Sequence, residues 1–254
     1  MTNWTINDYE IDGFVTKRDI DTPWFNNDRA IFGKKSLVTN TVRDTKPFRL
    51  SIKLRGSDRF DAETSIRAEL ASPAILIEAN NKYIYKNKKT CWVMPTGFSV
   101  TDKDNELTCE IAGIVDERTL TNCGFTTGWT GDSIAVSTDT KFGTYSIHDS
   151  ISTNSYTKYT FPESRDISNA TYLNIWHKFD YTYSTSSVLR LYSGATDYYE
   201  WTLTPSTSWS HETFTLSDPI ASNGSPSLSN VVAVGLYSQG VLSWDLYIGW
   251  VYVE

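Results

Sequence analysis

Residues 172–203 read YLNIWHKFDYTYSTSSVLRLYSGATDYYEWTL and contain three short runs in which apolar and polar side chains alternate. The runs are Tyr172–Phe179, Val188–Tyr192 and Tyr198–Leu203. Alternation with a period of two puts successive side chains on opposite faces of an extended chain, as in half-buried β-strands. This stretch is therefore predicted to form three strands joined by polar loops.

The same pattern continues on both sides of this stretch. Further alternating runs lie at Ser133–Ser137, Gly143–His148, Tyr156–Phe161, Glu212–Leu216, Val231–Tyr237 and Leu242–Val253. Gly, Pro, Asn and Ser separate the runs, and no helix is needed to complete the set. Many short strands at this spacing predict an all-β sandwich, or jelly roll, for the second half of the chain.

Alternation also predicts which side chains of each strand face outward. In Tyr172–Phe179 the apolar phase, interrupted by His177, is predicted to face the core. If the three strands share a sheet, its outer face combines aromatic rings with polar groups, the mixture that sugar binding needs. The candidate carbohydrate-binding residues are Tyr172, Trp176, Arg190, Tyr192, Tyr198 and Glu200. Aromatic residues on sandwich strands also serve as core, edge cover or subunit contact, and this alternative stays open.

The two halves of the chain differ in composition. Of the 23 Lys and Arg and 30 Asp and Glu, 18 of each kind precede about residue 120, so the remaining 5 basic and 12 acidic residues give the second half the whole charge of −7. The second half also holds six of nine Trp and 12 of 15 Tyr. This step predicts two domains, 1–120 and 121–254, joined near Asp116–Gly124.

The first half is predicted to be mostly strands with one helix. Alternating runs at 36–44 and 48–56 predict strands, and Ser57–Leu70 predicts a helix with Phe60, Ile66 and Leu70 on one face and Ser57 or Asp58 as its cap. A hairpin turn is predicted at Asn80 and Asn81. Two more strands are predicted at Trp92–Val100 and Glu106–Val115, joined by the turn Thr101–Asn105. These elements together favour a small sheet or split β-barrel.

This order of elements resembles the amino-terminal domain of distal tail proteins of long-tailed phages. The similar part runs from Phe48 through the predicted helix to Leu76 and on to Val115. The resemblance implies a split β-barrel that assembles as a homohexameric ring and contacts other tail proteins. It also implies a location at the tail tip of a virion, after synthesis in the host cytoplasm. A generic α+β domain is the alternative.

The second half resembles the jelly rolls of carbohydrate-binding modules. The similar blocks include CGFTTGWTG from Cys123, STDTKFGTYSIH from Ser137 and WDLYIGWVYV from Trp244. The resemblance implies a glycan ligand and a possible structural calcium held by Asp139 and Asp245. Calcium needs six to eight oxygen ligands, so two carboxylates alone prove little. The alternative is that Asp139 lies in a turn and Asp245 is a solvated strand residue.

Several functional classes lack sequence support. Neither phosphate-binding loops nor the HExxH, CxxC and GxSxG motifs occur, so no enzyme and no cofactor other than the possible calcium is predicted. Asp197 and Glu200 are the only plausible carboxylate pair for glycoside hydrolysis in the second half. An acidic chain without a long apolar run predicts neither a nucleic-acid partner nor a membrane span. Three cysteines, an odd number, are typical of reduced thiols.

These observations combine into one hypothesis with two alternatives. The hypothesis is a structural virion protein of the distal tail type, with a peripheral domain that binds host surface glycans. One alternative is a stand-alone carbohydrate-binding protein or the non-catalytic module of a polysaccharide-acting system. The other is a purely architectural protein whose aromatic residues are subunit contacts.

Overall fold

A computed structural model describes residues 4–11, 14–20, 46–70, 74–78, 90–121, 123–152, 154–180, 186–239 and 244–254. The chain divides after residue 117 into two compact units, called unit 1 and unit 2 below. The predicted strand at 36–44 and the predicted turn at Asn80 and Asn81 lie outside the described residues. No helix in the described part of the chain is long and apolar enough to cross a membrane.

Unit 1 contains one antiparallel sheet and one α-helix in its described part. The strands are β1 Trp4–Ile6, β2 Tyr9–Glu10, β3 Phe14–Ile20, β4 Lys46–Arg55, β5 Ala74–Glu78, β6 Thr90–Lys103 and β7 Glu106–Val115, and the helix is α1 Arg59–Glu69. Their order in the seven-stranded sheet is β2-β1-β5-β6-β7-β4-β3. The described strands leave β2 and β3 at the two edges, so they form an open sheet and no closed barrel.

The core of unit 1 follows from alternation in β4 and from one face of α1. Phe48, Leu50, Ile52 and Leu54 are buried, and Ile66 of α1 packs into the same cluster. Phe60 is 51% exposed, so its predicted place on the buried face is wrong. Six residues along a helix turn it by about 600°, which puts Phe60 a third of a turn away from Ile66.

The start of α1 also differs from the prediction. Asp58 occupies the N-cap position, but its side chain makes no capping hydrogen bond. The Asp58 backbone has φ −93° and ψ 8°, outside the extended region typical of a capping residue. The helix is therefore stabilised by packing of Ile66 and Leu70 rather than by a side-chain cap.

The described part of unit 2 contains two six-stranded antiparallel sheets. The strands of the first, called the β13 sheet, are β8 Thr119–Thr121, β10 Ala135–Ser137, β11 Ser146–Ile151, β13 Tyr172–Phe179, β16 Ser210–Thr215 and β19 Trp244–Val253. The strands of the second, called the β14 sheet, are β9 Trp129–Thr130, β12 Tyr156–Arg165, β14 Ser186–Tyr192, β15 Tyr198–Leu203, β17 Ala221–Asn223 and β18 Val231–Gln239. The order in the β13 sheet is β10-β11-β19-β13-β16 with β8 beside β19, and the order in the β14 sheet is β17-β15-β14-β18-β12-β9. A short 3₁₀ helix, Leu228–Asn230, precedes β18.

The two sheets pack face to face around a common core. The inward side chains of β13, including His177, are buried as predicted, and so are Leu189, Leu191, Trp201 and Leu203 of β14 and β15. Tyr199, on the predicted inward phase of β15, is only half-buried. The indole nitrogen of Trp201 donates a hydrogen bond of 3.1 Å to the Thr215 carbonyl of the opposite sheet. The mainly β class with a sandwich in the second half is therefore confirmed.

All three cysteines of the chain are buried. Burial raises the pKa of Cys109 from 9.0 to about 11 and raises the pKa of Cys123 further. A thiol whose pKa is raised by folding contributes stability below its unfolded pKa, and the contribution is lost as the pH rises. We therefore expect the urea concentration at the unfolding midpoint to decrease as the pH is raised from 9 to 11. We also expect iodoacetamide at pH 8 to label the thiols only after the chain unfolds. Rapid labelling of the folded chain, measured by mass spectrometry, would contradict this.

Candidate functional site

The predicted carbohydrate-binding residues lie on two different sheets. Tyr172 and Trp176 belong to β13, which pairs with β16 and β19. Arg190 and Tyr192 belong to β14, which pairs with β15 and β18. The condition that all three strands share one sheet is therefore not met. The predicted set divides into two patches, one on the outer face of each sheet.

The register of the β14 sheet brings four of the predicted residues together with three others. Arg190 lies opposite Glu200 on one side and Gly235 on the other, and Tyr192 lies opposite Tyr198. Lys158 of β12 also lies opposite Gly235, and Tyr156 lies opposite Tyr237. We call this surface the tyrosine face; its members are Tyr156, Lys158, Arg190, Tyr192, Tyr198, Glu200 and Tyr237.

Arg190 is at the centre of the tyrosine face. Its Nε and Nη2 atoms both lie 2.7 Å from Oε2 of Glu200. Its guanidinium carbon lies 4.2 Å from the ring centre of Tyr198 and 3.9 Å from that of Tyr237. Burial alone would lower the pKa of Arg190, but hydrogen bonds to Glu200 and Tyr192 outweigh it and leave the pKa raised. Arg190 therefore keeps its charge and holds two rings in place.

Tyr192 and Glu200 point outward as predicted but are covered by their neighbours. They are 8% and 7% exposed, respectively. Burial also raises the pKa of Tyr192, so its phenol stays protonated and can donate a hydrogen bond. The Glu200 carboxylate is held by Arg190, which leaves it poorly suited to act as a catalytic acid with Asp197.

Lys158, Tyr156 and Tyr237 were not among the predicted residues. The Lys158 ammonium lies 5.0 Å from the ring centre of Tyr156 and 5.4 Å from that of Tyr192, within reach of a cation–π interaction. The runs Tyr156–Phe161 and Val231–Tyr237 were recognised as strands, and their outward phases contain these side chains. Alternation alone does not show that β18 lies between β14 and β12 in the sheet.

The outer face of the β13 sheet has a second aromatic cluster, which we call the tryptophan face. Its members are Phe142, Tyr172, Trp176, His211, Trp250 and Tyr252. Trp176 and Trp250 are cross-strand partners, and the Phe142 ring lies 5.3 Å from the first indole and 5.6 Å from the second. The predicted residues Tyr172 and Trp176 therefore belong to a coherent surface, although a different one.

The two predicted calcium ligands each have protein partners. Asp139 accepts hydrogen bonds from Lys178 and Trp209, and the bond from Lys178 is the main reason that the pKa of Asp139 is lowered. Asp245 accepts a hydrogen bond from Ser150 and lies 3.2 Å from the His148 ring nitrogen. No group of three or more His, Cys, Asp or Glu in the described ranges could hold a metal ion. The calcium site stays a prediction.

Comparisons with known proteins find similar solved structures over about half of the chain, all at low identity. No protein-family model matches the chain, and no curated protein matches it. The family 11 carbohydrate-binding module from Clostridium thermocellum, solved with a β-1,3-1,4-mixed-linked tetrasaccharide, matches with a TM-score of 0.44 and 15% identity over 54% of this chain and 94% of that module. A family 16 carbohydrate-binding module matches with a TM-score of 0.34 and 19% identity over 51% of this chain and 92% of that module.

An enzyme structure also matches over a similar share of the chain. An exo-β-agarase matches with a TM-score of 0.41 and 11% identity over 54% of this chain but only 24% of the enzyme. At these identities and TM-scores, similarity carries no argument about ligand or activity.

Proposed function

We propose that unit 2 is a non-catalytic carbohydrate-binding module and that its ligand lies on the tyrosine face. The observation that carries the proposal is the arrangement of four tyrosine rings around the Arg190–Glu200 ion pair. Tyrosine rings offer an apolar surface to a pyranose, while the phenols, the guanidinium and the lysine ammonium offer hydrogen bonds to its hydroxyls.

Charge at the centre of the tyrosine face favours a glycan over a protein partner. The cores of protein interfaces are enriched in Tyr and Arg but depleted in Lys and Glu, and here both Lys158 and Glu200 lie among the tyrosine rings. Arg190 and Glu200 neutralise each other, so the surface carries little net charge. Its phenols and the Lys158 ammonium can still form hydrogen bonds with a ligand. These features favour a hydroxyl-rich ligand.

The tail-tip role of unit 1 stays a prediction. Support for it is limited to the order of strands and helix from β4 to β7. A homohexameric ring predicts a mass near six subunits for the full chain in light scattering, whereas a stand-alone carbohydrate-binding protein predicts one subunit. Several copies on a ring would increase avidity for a glycan surface without new contacts.

Replacing Tyr237 by alanine tests the proposed site. Loss of the ring is expected to cost about 1–2 kcal/mol of binding free energy, or roughly a 5- to 30-fold weaker affinity. The affinity of the full chain for soluble β-1,3-1,4-glucan, xyloglucan, galactomannan and polygalacturonate is measured by affinity electrophoresis. Phe60→Ala removes an exposed ring of unit 1 and serves as the control with unchanged affinity. Equal affinity of Tyr237→Ala and wild type for every polysaccharide bound would contradict the proposal.

A further inference from the structure

The tryptophan face has the composition of a second ligand-binding surface. We propose that it binds an uncharged polysaccharide chain independently of the tyrosine face. The proposal shares with the proposed function only the class of ligand. The outward phases of β13, β16 and β19 carry aromatic, imidazole, hydroxyl, amide and charged side chains, but no aliphatic one in the described residues. A surface of rings beside hydrogen-bonding groups is better matched to a pyranose chain than to the aliphatic side chains of a protein partner.

The indole rings of this face are held in place before a ligand arrives. Nε1 of Trp250 donates a hydrogen bond of 3.0 Å to Oγ1 of Thr119, which is fully buried. The Phe142 ring meets both indoles edge-on, at 80° to Trp176 and 75° to Trp250. Rings fixed in this way lose little conformational freedom on binding, and this favours affinity.

A buried amide beneath the rings provides an independent sign of a ligand. Asn174 is on the outward phase of β13, between Thr213 and Tyr252, and is only 2% exposed. Its Oδ1 accepts a hydrogen bond of 2.7 Å from Thr213, but its Nδ2 has no partner among the described residues. An unsatisfied buried donor is costly, and a sugar hydroxyl would satisfy it.

A hydrogen bond between two members of the face would have to open for the ligand to reach this amide. The ring nitrogen of His211 lies 3.1 Å from the hydroxyl of Tyr252, and the two rings are nearly parallel, 12° apart. Tyr252 of β19 lies directly opposite Asn174, and His211 of β16 lies opposite Trp176, the next outward residue of β13. Opening this hydrogen bond would also free the imidazole and the phenol to bond to the ligand.

The charges around the face favour an uncharged ligand. Lys178 is paired with Asp139, and His148 lies beside Asp245. The Lys141 ammonium lies 4.8 Å from the ring centre of Trp176, at the surface of the tryptophan face. The chain after about residue 120 carries 12 acidic and only 5 basic residues, so it repels an acidic polysaccharide at long range.

The two faces can be tested separately because no member of the tyrosine face is a tryptophan. Wild type, Trp176→Ala, Phe142→Ala and Tyr198→Ala full-length chains are titrated with the three uncharged polysaccharides and with polygalacturonate. Affinity electrophoresis measures binding, and tryptophan fluorescence reports the tryptophan face. We expect Tyr198→Ala to keep both the fluorescence change and the affinity for at least one uncharged polysaccharide. Trp176→Ala should weaken that binding at least 10-fold and Phe142→Ala several-fold.

Circular dichroism and thermal unfolding check that each variant is folded. If Trp176→Ala does not fold, Phe142→Ala takes its place as the test of the tryptophan face. If Tyr198→Ala loses all binding while Trp176→Ala and Phe142→Ala bind as wild type does, the second surface is overturned and the proposed function stays intact. Binding that depends on Trp176 and Phe142 alone would support the second surface and contradict the proposed one. Self-association of wild type that Trp176→Ala abolishes would assign this face to a second copy and overturn the inference.

Discussion

Replacing Arg190 by alanine is expected to lower the free energy of unfolding by about 3–5 kcal/mol, the usual cost of leaving one member of a buried ion pair without its partner. The side chains of Arg190 and Glu200 are only 12% and 9% exposed. Without the guanidinium, the Glu200 carboxylate stays buried and unpaired, and the rings of Tyr198 and Tyr237 lose the cation between them. Urea unfolding followed by circular dichroism measures the change, and glycan affinity should fall with it.

Two further variants separate the burial of this pair from the removal of an arginine. Arg67→Ala breaks the exposed ion pair between Arg67 and Glu63 of α1 and the contact of Arg67 with the Phe98 ring, and it should cost only about 1 kcal/mol. Arg190→Ala combined with Glu200→Ala removes the orphaned charge and should be more stable than Arg190→Ala alone. Similar losses for Arg190→Ala and Arg67→Ala would contradict the central role given to the pair.

Gly235→Ala is expected to destabilise unit 2 by about 3 kcal/mol, because the added methyl group has no room. A Cβ atom at Gly235 would lie 2.7 Å from the Thr157 carbonyl oxygen and 2.9 Å from the Lys158 Cα atom. Both are backbone atoms of β12, so the strand itself must move, and Lys158 and Tyr156 would move with it. Urea unfolding and glycan affinity should both change.

Gly97→Ala is the matched control for this substitution. The nearest atom to a Cβ at Gly97 is the Ala112 Cβ at 3.8 Å, an ordinary contact. Its stability is therefore expected to stay within about 1 kcal/mol of wild type. A Gly235→Ala chain as stable as Gly97→Ala would show that β12 and β18 are not packed as closely as the structure has them.

Sequence patterns predicted the strands better than they predicted the site. The bounds of Tyr172–Phe179 and Tyr198–Leu203 coincide with β13 and β15 because alternation is strong in both runs. Alternation gives the phase of a strand but not its neighbours, and the candidate set therefore mixed two faces. Lys158 and Tyr237 could be found only once the register of β12, β14 and β18 was known.

Outward direction did not predict exposure either. Asn174, Tyr192 and Glu200 all lie on the predicted outward phase, yet each is almost fully buried. Large neighbours lie beside them on the same face. Tyr252 is the cross-strand partner of Asn174, the Tyr198 ring packs on Tyr192, and Arg190 pairs with Glu200. A face lined with long side chains forms a second, polar layer of packing that the period of the sequence does not reveal.

The central claim is that a glycan lies against the tyrosine face, and hydroxyl-radical footprinting of the full chain tests it most directly. Side-chain oxidation is measured by mass spectrometry with and without saturating β-1,3-1,4-glucan, or with whichever polysaccharide of the panel binds. We predict several-fold less oxidation of Tyr156, Tyr198 and Tyr237 in the presence of glycan, with Phe60 unchanged. The account would be contradicted if a bound glycan left the oxidation of these three tyrosines unaltered, or if no polysaccharide of the panel bound at all.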